Sequence, residues 1–419
     1  MNIMTLLAIS PAIWGSTLVF LILILFLVVL LLLAQKKLVA SGNVTITINE
    51  DNKIEVPQGG SLLTTLQNKG VYLSSACGGQ GTCGQCRCRV VEGGGEILST
   101  ETPHFTRREI NDKYRLSCQV KVKEDLKIVV PESVFGVKEW ECEVISNRNV
   151  ASFIKEFVVR LPEGEHMDFK AGSYAQIKIP KYEIKYSDMI VEEPFKAEWD
   201  KFKLWGLVGK NTEETIRAYS MANYPAEGNI ITLNVRIATP PFDRKTGGWM
   251  KVNPGIASTY IFSLKPGDKV RMSGPYGEFH IQDTDAEMLY IGGGAGMAPL
   301  RAQILHLFNT LKTGRKVSYW YGARSKVEIF YEEDFRKLEE QFPNFKFNIA
   351  LSAALPEDNW TGYTGFIHQV IYDEYLKNHP APEDIEYYMC GPGPMAASAL
   401  KMLDDLGVAR ESIFFDDFG

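Results

Sequence analysis

The N-terminal region of the chain is one continuous apolar run. Between Ala12 and Ala34 no residue is charged, and the first charged residue of the whole chain is Lys36. The 23 residues of this run, at about 1.5 Å each, give a helix of about 34 Å, which exceeds the roughly 30 Å of a hydrocarbon core. No basic leader or small-residue cleavage site indicates a signal peptide. The pattern predicts an N-terminal segment 1–40 that contains a membrane anchor helix over 12–34.

The charges that follow the apolar run predict its orientation. Lys36 and Lys37 come directly after it, and lysines next to a membrane helix stay on the cytoplasmic side. We therefore expect a single-pass protein whose remaining residues are cytoplasmic.

After the anchor, the polar and apolar positions follow a short-period pattern. Residues 44–48 alternate Val-Thr-Ile-Thr-Ile, and a polar turn follows at Asp51-Asn52. Alternation with period two predicts strands. Ser61 is a candidate cap for a brief helix through Asn68. The prediction is a first domain over 41–133 with further strands at 86–91, 115–120 and 126–130.

A second segment, 134–284, also consists of short β patterns with Gly and Pro turns between them. Spaced strands of this kind predict a small antiparallel barrel. The expected strands are 141–146, 153–160, 173–179, 217–221, 230–237 and 269–273.

The last segment, 285–419, changes to an alternation of strands with longer helical patterns, which predicts an α/β domain with a parallel sheet. The expected strands are 288–291, 316–321, 345–350 and 386–390. The expected helices are 297–311, 331–341, 366–377 and 393–406.

Composition narrows the class of protein. The 419 residues are 45% hydrophobic, which excludes a disordered chain. Lys and Arg number 45 against 51 Asp and Glu, a net charge of −6. Because phosphate binding requires a basic face, we expect no nucleic-acid partner.

The cysteines carry the strongest chemical signal. Four of the seven follow the spacing C-x5-C-x2-C-x31-C, and the first loop between them is rich in glycine. An odd number of cysteines in a cytoplasmic domain disfavours disulfides. Glycines let the backbone wrap around sulfides, so the spacing favours a [2Fe–2S] cluster. A zinc site remains the alternative, although zinc knuckles usually pair two C-x2-C motifs. The predicted ligands are Cys77, Cys83, Cys86 and Cys118.

This segment resembles a plant-type ferredoxin of β-grasp fold. The usual ferredoxin spacing is C-x4-C-x2-C, so this chain has one extra residue in its first loop. Cys88 alternates with Cys86 on a strand, and we interpret it as a packed thiol. Cys142 has no partner in the pattern and is interpreted as structural.

Three motifs in the barrel segment together resemble the ferredoxin–NADP reductase superfamily, whose barrel binds FAD. They are 217–220 (R-A-Y-S), 255–259 (G-I-A-S-T) and 274–279 (G-P-Y-G-E-F). The first motif alone could be an ordinary strand with a surface arginine. FMN-dependent relatives use a different phosphate pattern, so FAD is favoured. The resemblance implies that Arg217 pairs with a flavin phosphate and that Tyr219 lies on the flavin ring. It places Ser220 near flavin N5 as a catalytic residue, and the pyrophosphate at Gly255, Ala257 and Ser258.

The α/β segment carries the predicted nicotinamide site. A glycine loop at 292–296 follows an apolar strand and precedes a helix, where a pyrophosphate can approach the positive helix N-terminus. Alone, it could be a simple turn. In the reductase superfamily, the C-G-P-x-x-M pattern at 390–395 places its cysteine beside the nicotinamide as a catalytic residue, although Cys390 could instead be a buried strand thiol. The implied contacts are Gly293, Gly294, Gly296, Met297, Cys390, Gly391, Pro392 and Met395.

Two further features complete the resemblance. A terminal aromatic covers the flavin in that family, so Phe418 is the candidate catalytic lid, with a frayed apolar tail as the alternative. NADP-dependent relatives hold the 2′-phosphate with a Ser-Arg pair, where this chain has Ser352-Ala353. We therefore expect NADH, although Arg324 could serve NADPH.

The complete order of segments resembles the family of F subunits of Na+-translocating NADH:quinone oxidoreductases, and the insertion 181–214 supports that resemblance. It implies hydride transfer from NADH to FAD, and then single electrons to the [2Fe–2S] cluster, to other integral-membrane subunits and to ubiquinone. It also implies a bacterial inner-membrane location and sodium transport by other subunits. Two alternatives remain: a membrane-tethered NADH-dependent reductase feeding an oxygenase, and an electron carrier without NADH activity.

Overall fold

The computed structural model describes residues 11–38, 42–243, 245 and 247–416, and within the N-terminal helix it describes side chains from Gly15 to Leu30. The chain divides into two compact units. The first contains residues 1–73 and 86–131, and the second contains 74–85 and 132–419. The Gly- and Cys-rich loop 74–85 therefore belongs to the second unit, although the flanking sequence belongs to the first.

Helix α1 spans Pro11–Leu38, and its described side chains are all exposed. Within the part of the chain whose placement is described, no helix is both long enough and apolar enough to cross a bilayer.

The remainder of the first unit is a five-stranded sheet with two short helices. The sheet order is β2-β1-β5-β3-β4, and β1 pairs with β5 in parallel while the other pairs are antiparallel. In β1 alternate residues are buried, as its period-two sequence predicts. The elements are β1 Asn43–Ile48, β2 Asn52–Pro57, α2 Leu62–Gln67, β3 Arg87–Glu92, α3 Arg107–Asn111, β4 Tyr114–Leu116 and β5 Leu126–Val129.

The strand expected at 115–120 ends at Leu116. The chain turns there because the Ser117 amide donates to the Cys86 carbonyl, while the amides of Gln119 and Val120 donate back to Leu116. These bonds take residues 117–120 out of the ladder and place Cys118 beside Cys86.

The second unit begins with an antiparallel barrel. Its strand order is β11-β8-β15-β6-β7-β12, and a bridge between Met221 and Leu233 joins the two outer strands. The predicted barrel is thus present. Its elements are β6 Lys138–Ala151, β7 Ile154–Arg160, β8 Tyr174–Ile179, β9 Tyr182–Lys185, α4 Lys196–Lys201, β10 Val208–Asn211, β11 Thr215–Ser220, β12 Ile230–Arg236, β13 Phe242–Asp243, β14 Gly248–Trp249, α5 Ile256–Ser263 and β15 Lys269–Tyr276.

The insertion 181–214 packs on the barrel. It forms β9, α4 and β10, and its Trp199 is fully buried among barrel side chains such as Phe262. The Trp199 indole donates to the Ser152 carbonyl. The insertion therefore adds to the hydrophobic core of the barrel.

A six-stranded parallel sheet completes the second unit, in the order β19-β18-β17-β16-β20-β21. The helix expected at 297–311 is α-helical to Leu305 and continues as a π turn over His306–Thr310. The elements are β16 Met288–Gly293, α6 Met297–Leu305, β17 Val317–Ala323, α7 Glu332–Gln341, β18 Phe345–Leu351, β19 Tyr363–Thr364, α8 Ile367–Glu374, β20 Glu386–Cys390, α9 Gly393–Asp405 and β21 Ile413–Asp416.

The order of this sheet locates a ligand crevice. From β16 the chain proceeds outward to β17 and β18, then returns to the other side of β16 with β20. In such sheets, ligands bind outside the carboxyl ends of the strands where the order reverses. Here that position is the loop after β16, at Gly293, next to the loop after β20.

Candidate active site

The second unit contains a cavity of about 1150 Å³. It is lined by barrel residues at the end of β11 and the start of α5, and by the loops that follow β16, β17 and β20. Single-ligand sites are commonly about 300–1,000 Å³. The cavity is therefore large enough for a dinucleotide cofactor with part of a second nucleotide.

Strand β11 forms one wall of the cavity, which we call the flavin wall because the R-A-Y-S motif predicts a flavin contact there. Arg217, Tyr219 and Ser220 all line the cavity. The guanidinium of Arg217 donates to the Ile216 carbonyl at 2.7 Å, and this bond holds the Arg217 side chain close to its own strand. Burial raises the pKa of Tyr219, so its phenol stays protonated at neutral pH and offers a neutral aromatic face.

Ser220 faces a carboxylate that the sequence patterns do not identify. Its hydroxyl donates to Asp416 Oδ2 at 2.5 Å, and both residues line the cavity. Asp416 ends β21, which pairs with β20 in parallel. The region 413–416 reads as an apolar tail in sequence, so only the sheet pairing places this acid beside the flavin wall. The predicted lid, Phe418, lies outside the described residues.

The residues predicted to contact the pyrophosphate lie at the start of α5, where Gly255, Ala257 and Ser258 line the cavity. The Ser258 hydroxyl accepts from the Ala238 amide and donates to the Gly255 carbonyl. It therefore holds the loop together, and the first-turn amides of α5 are the groups free of helical bonds. The insertion supports this wall, because the Tyr182 hydroxyl donates to the Ile256 carbonyl at 2.6 Å.

The glycine loop after β16 forms the opposite wall. Gly293, Gly294 and Gly296 line the cavity. A Cβ on Gly296 would overlap the Cys390 carbonyl, so only glycine lets this loop lie against the loop after β20. Gly294 has φ +56°, which also favours glycine.

Two of the predicted nicotinamide contacts are placed differently from the others. Gly391, Pro392 and Met395 line the cavity, but the side chains of Met297 and Cys390 do not. Met297 is fully buried and its sulfur accepts from the Tyr319 hydroxyl, while Cys390 is 2% exposed in the same core. Their predicted contacts with the nicotinamide stay predictions.

The cavity also contains residues that the motifs did not indicate. Arg236 and Glu328 line it, as do Phe366 and His368, whose rings stack at a centroid distance of 6.2 Å. Phe366 is 70% exposed. No spacing rule marks these positions. Arg324 and Ser352 lie in the same cavity.

The loop 74–85 contains the first two predicted iron ligands. The Cys83 thiol donates to the Cys77 sulfur at 3.3 Å, and this bond lowers the pKa of Cys77. Four glycines in the loop have φ between +66° and +89°, at positions 78, 79, 81 and 84. Loops with such left-handed glycines can direct backbone amides toward an anion such as a cluster sulfide.

The first unit contains the other two predicted ligands. Hydrogen bonding to Cys118 and burial raise the pKa of the Cys86 thiol. The Ser117 side-chain oxygen is buried and has no oxygen or nitrogen partner among the described residues. The Ser117 hydroxyl lowers the pKa of the Cys86 thiol, but this effect is smaller than the increase caused by Cys118 and burial.

Thiols are the donors that a two-iron cluster requires, and the four cysteines, one pair in each unit, stay the predicted ligands. The described residues contain no group of three or more His, Cys, Asp or Glu side chains arranged around one metal position. Cys88 and Cys142 are both fully buried, and burial raises the pKa of each. That environment agrees with packed thiols.

Comparison with known families identifies all three parts of the chain. Residues 46–123 match the 2Fe-2S iron-sulfur cluster binding domain, 206–281 the oxidoreductase FAD-binding domain, and 290–401 the oxidoreductase NAD-binding domain.

Individual relatives match over nearly the full length. The F subunit of the Na(+)-translocating NADH-quinone reductase of Marinomonas sp. (strain MWYL1) is 56% identical over 386 residues, covering 92% of this chain and 93% of the relative. The protein of the same name in Klebsiella pneumoniae is 55% identical over 402 residues, or 96% of this chain and 98% of the relative.

Solved structures with lower sequence identity share the fold. A cytochrome P450 reductase of Amycolatopsis has a TM-score of 0.61 at 22% identity and covers 90% of this chain and 98% of its own. The ferredoxin reductase of carbazole 1,9a-dioxygenase has a TM-score of 0.58 at 23% identity, with 90% and 99% covered.

Proposed function

This chain belongs to the family of F subunits of Na(+)-translocating NADH-quinone reductases, and on that premise we propose that it is the electron-input component of such a complex. It is an oxidoreductase with NAD, FAD and 2Fe-2S domains, and these fit NADH-driven electron transfer through FAD to the cluster. When bound, FAD supplies hydride acceptance and one-electron release, and the cluster supplies one-electron transfer.

One observation carries the proposal. A single cavity is lined by the flavin wall on β11, by the glycine loop after β16, and by Ala76 and Gln85 of the loop that holds Cys77 and Cys83. A hydride donor, its acceptor and the next electron acceptor can therefore lie next to one another. An electron carrier without NADH activity has no need of the glycine loop.

The residue roles on the flavin side follow from the cavity lining. Arg217 and the amides at the start of α5 bind the FAD phosphates, and the Tyr219 ring packs on the flavin. Ser220 donates its hydroxyl proton to Asp416. With its proton directed to Asp416, the Ser220 oxygen would be available to accept from the N5–H group of a reduced flavin.

On the dinucleotide side, Gly293, Gly294 and Gly296 receive the NADH pyrophosphate at the N-terminus of α6. Gly391, Pro392 and Met395 shape the nicotinamide end. The Cys390 side chain lies beneath this wall, and Phe418 is the proposed lid over the flavin.

The four cysteines are the proposed cluster ligands. Cys77 and Cys83, which share a hydrogen bond, and Cys86 and Cys118, which share another, would together hold the cluster.

Membrane attachment, the quinone and sodium are further parts of the proposal. The uncharged run 12–34 is the proposed inner-membrane anchor, and other integral-membrane subunits accept the electrons and pass them to ubiquinone. Since this run has no ionisable side chain, sodium movement is assigned to those subunits.

Purification of the tagged full chain from native membranes tests this function. We expect bound FAD, NADH-dependent reduction of ferricyanide and several integral-membrane proteins in the same fraction. A matched variant without residues 1–35 should leave the membrane fraction and keep its ferricyanide activity. If the full chain instead brings down a soluble oxygenase, the tethered-reductase alternative is correct and the quinone assignment is wrong.

A further inference from the structure

The loop that carries Cys77 and Cys83 is attached to the barrel at both of its ends. At its start, the Gln176 side-chain amide donates to the Ser75 carbonyl at 3.2 Å. At its end, the Tyr174 hydroxyl donates to Gln85 Oε1 at 2.9 Å. Both predicted iron ligands of the loop lie between these two attachments.

The two attachments come from one face of one strand. Tyr174 and Gln176 are two residues apart on β8, so their side chains point the same way. In the ladder with β11, Tyr174 pairs with Ser220 and Gln176 pairs with Ala218. The strand that positions the loop is therefore the direct neighbour of the strand that forms the flavin wall.

The Gln176–Ser75 attachment is buried at both ends, whereas the Tyr174–Gln85 attachment is buried on the barrel side and Gln85 itself is exposed. Tyr174 is 6% exposed, and Gln176 and Ser75 are each 1% exposed. The Gln176 side-chain oxygen has no partner among the described residues, so the bond to Ser75 is the polar contact that this side chain makes there. A buried side-chain amide with an unsatisfied oxygen costs free energy. That cost indicates that the hydrogen bond from the Gln176 nitrogen has a specific role.

The loop also approaches the flavin wall through its backbone. Gly78 has φ +66°, and a Cβ there would overlap the Ile216 carbonyl and the Arg217 guanidinium. Tyr174 itself lines the cavity with Ala76 and Gln85, and its ring stacks on Tyr276 at 5.3 Å. One hydrogen bond thus joins a cavity-lining ring to the residue that precedes Cys86.

We propose that Tyr174 and Gln176 are positioning residues for electron transfer from the reduced flavin to the iron–sulfur cluster, because they hold the ligand loop against the flavin cavity. The proposal rests on the function proposed above. The hydride brings two electrons and the cluster accepts one, so the downstream acceptor must take the first electron before the second can follow.

The test separates the two transfer steps in the full chain. Under anaerobic conditions NADH is mixed rapidly with the protein, flavin reduction is followed by absorbance, and cluster reduction by freeze-quench EPR. In Tyr174→Phe we expect flavin reduction at an unchanged rate and cluster reduction that is slower by roughly 2- to 10-fold. This factor corresponds to the net free energy of one hydrogen bond, expressed as an equilibrium constant. Gln176→Leu, which does not touch the cavity lining, should show the same pattern.

A double-mutant cycle identifies the bond itself. If the Tyr174–Gln85 bond is the cause, Gln85→Leu slows cluster reduction as Tyr174→Phe does, and the double variant is no slower than either. The control is Tyr276→Phe, which removes the hydroxyl that bonds Ser273 and leaves the same aromatic stack in place.

Each outcome decides between the hypotheses. Rates are measured on chains that retain both cofactors. Unchanged cluster reduction in those chains overturns the inference, even if some iron is lost, because iron loss alone indicates a purely structural role. Equal slowing by Tyr276→Phe, or additive effects in the cycle, also overturns it. If the cluster of the unmutated protein is never reduced after the flavin, the proposed function itself fails.

Discussion

Removal of the buried carboxylate of Glu101 should destabilise the first unit and deplete the iron–sulfur cluster. Glu101 is fully buried, and its oxygens accept from the Arg115 guanidinium at 2.8–3.2 Å and from the Leu116 amide at 2.9 Å. Arg115 also donates to the carbonyls of Gly94 and Gly95. The pair thus fixes the start of the turn that carries Cys118.

The magnitude follows from the charge left behind. In Glu101→Ala the Arg115 guanidinium, 8% exposed as a side chain, would remain buried without its counterion, which costs about 3–5 kcal/mol. A domain is stable by about 5–15 kcal/mol in total. We therefore expect a clear drop in the unfolding temperature of this unit and a loss of iron and acid-labile sulfide per chain. Flavin content should stay unchanged, because the flavin-lining residues belong to the other unit.

A second variant tests the reasoning. Replacement of both charges, as Glu101→Leu with Arg115→Leu, removes the uncompensated charge and should recover part of the lost stability and iron. Calorimetry and iron analysis of the two variants side by side provide the measurement. If Glu101→Ala retains full iron content and unfolding temperature, or if the double variant is worse than the single one, the buried charge is not what stabilises this turn.

Three further changes test other parts of the structure. Tyr219→Ala should reduce the FAD retained per chain after gel filtration, whereas Tyr219→Phe should retain it; equal retention would contradict the ring contact. Gly296→Ala should raise the KM for NADH at unchanged flavin content, since its Cβ would push the glycine loop away from Cys390; an unchanged KM refutes that close approach. Burial lowers the pKa of Lys155 from 10.5 to about 8, so the unfolded state binds more protons between these values and stability should rise with pH across that window. Thermal unfolding of Lys155→Met should lack that rise, and a persistent rise would assign it to another group.

The sequence was sufficient for the elements whose pattern is periodic. The strands of the α/β region and helix α9 follow directly from apolar periodicity, because both faces of a parallel sheet are buried. The motif at 217–220 likewise lies on a barrel strand, where its residues line the cavity. Each of these predictions depends only on residues that are close together in the sequence, so no long-range contact was needed to make it.

The remaining site depends on contacts between distant residues. Asp416 reaches Ser220 through the parallel pairing of β21 with β20, a contact between residues 196 positions apart. The sequence does not predict helix α5, because its residues show no separate polar face. The helix packs against β9 and β10 of the insertion. The cysteine spacing also cannot predict that the loop 74–85 packs on the barrel, because the residues that bind the loop, Tyr174 and Gln176, lie about a hundred residues away in the sequence.

The most direct test of the electron pathway is an anaerobic titration of the purified full chain with NADH, followed by absorbance and EPR. The account predicts that both cofactors are reduced with about three electrons per chain, or about 1.5 NADH, because FAD takes two electrons and one [2Fe–2S] cluster takes one. The EPR signal of the reduced cluster should increase as NADH is added and consumed. An end point of two electrons per chain without that signal would contradict the account.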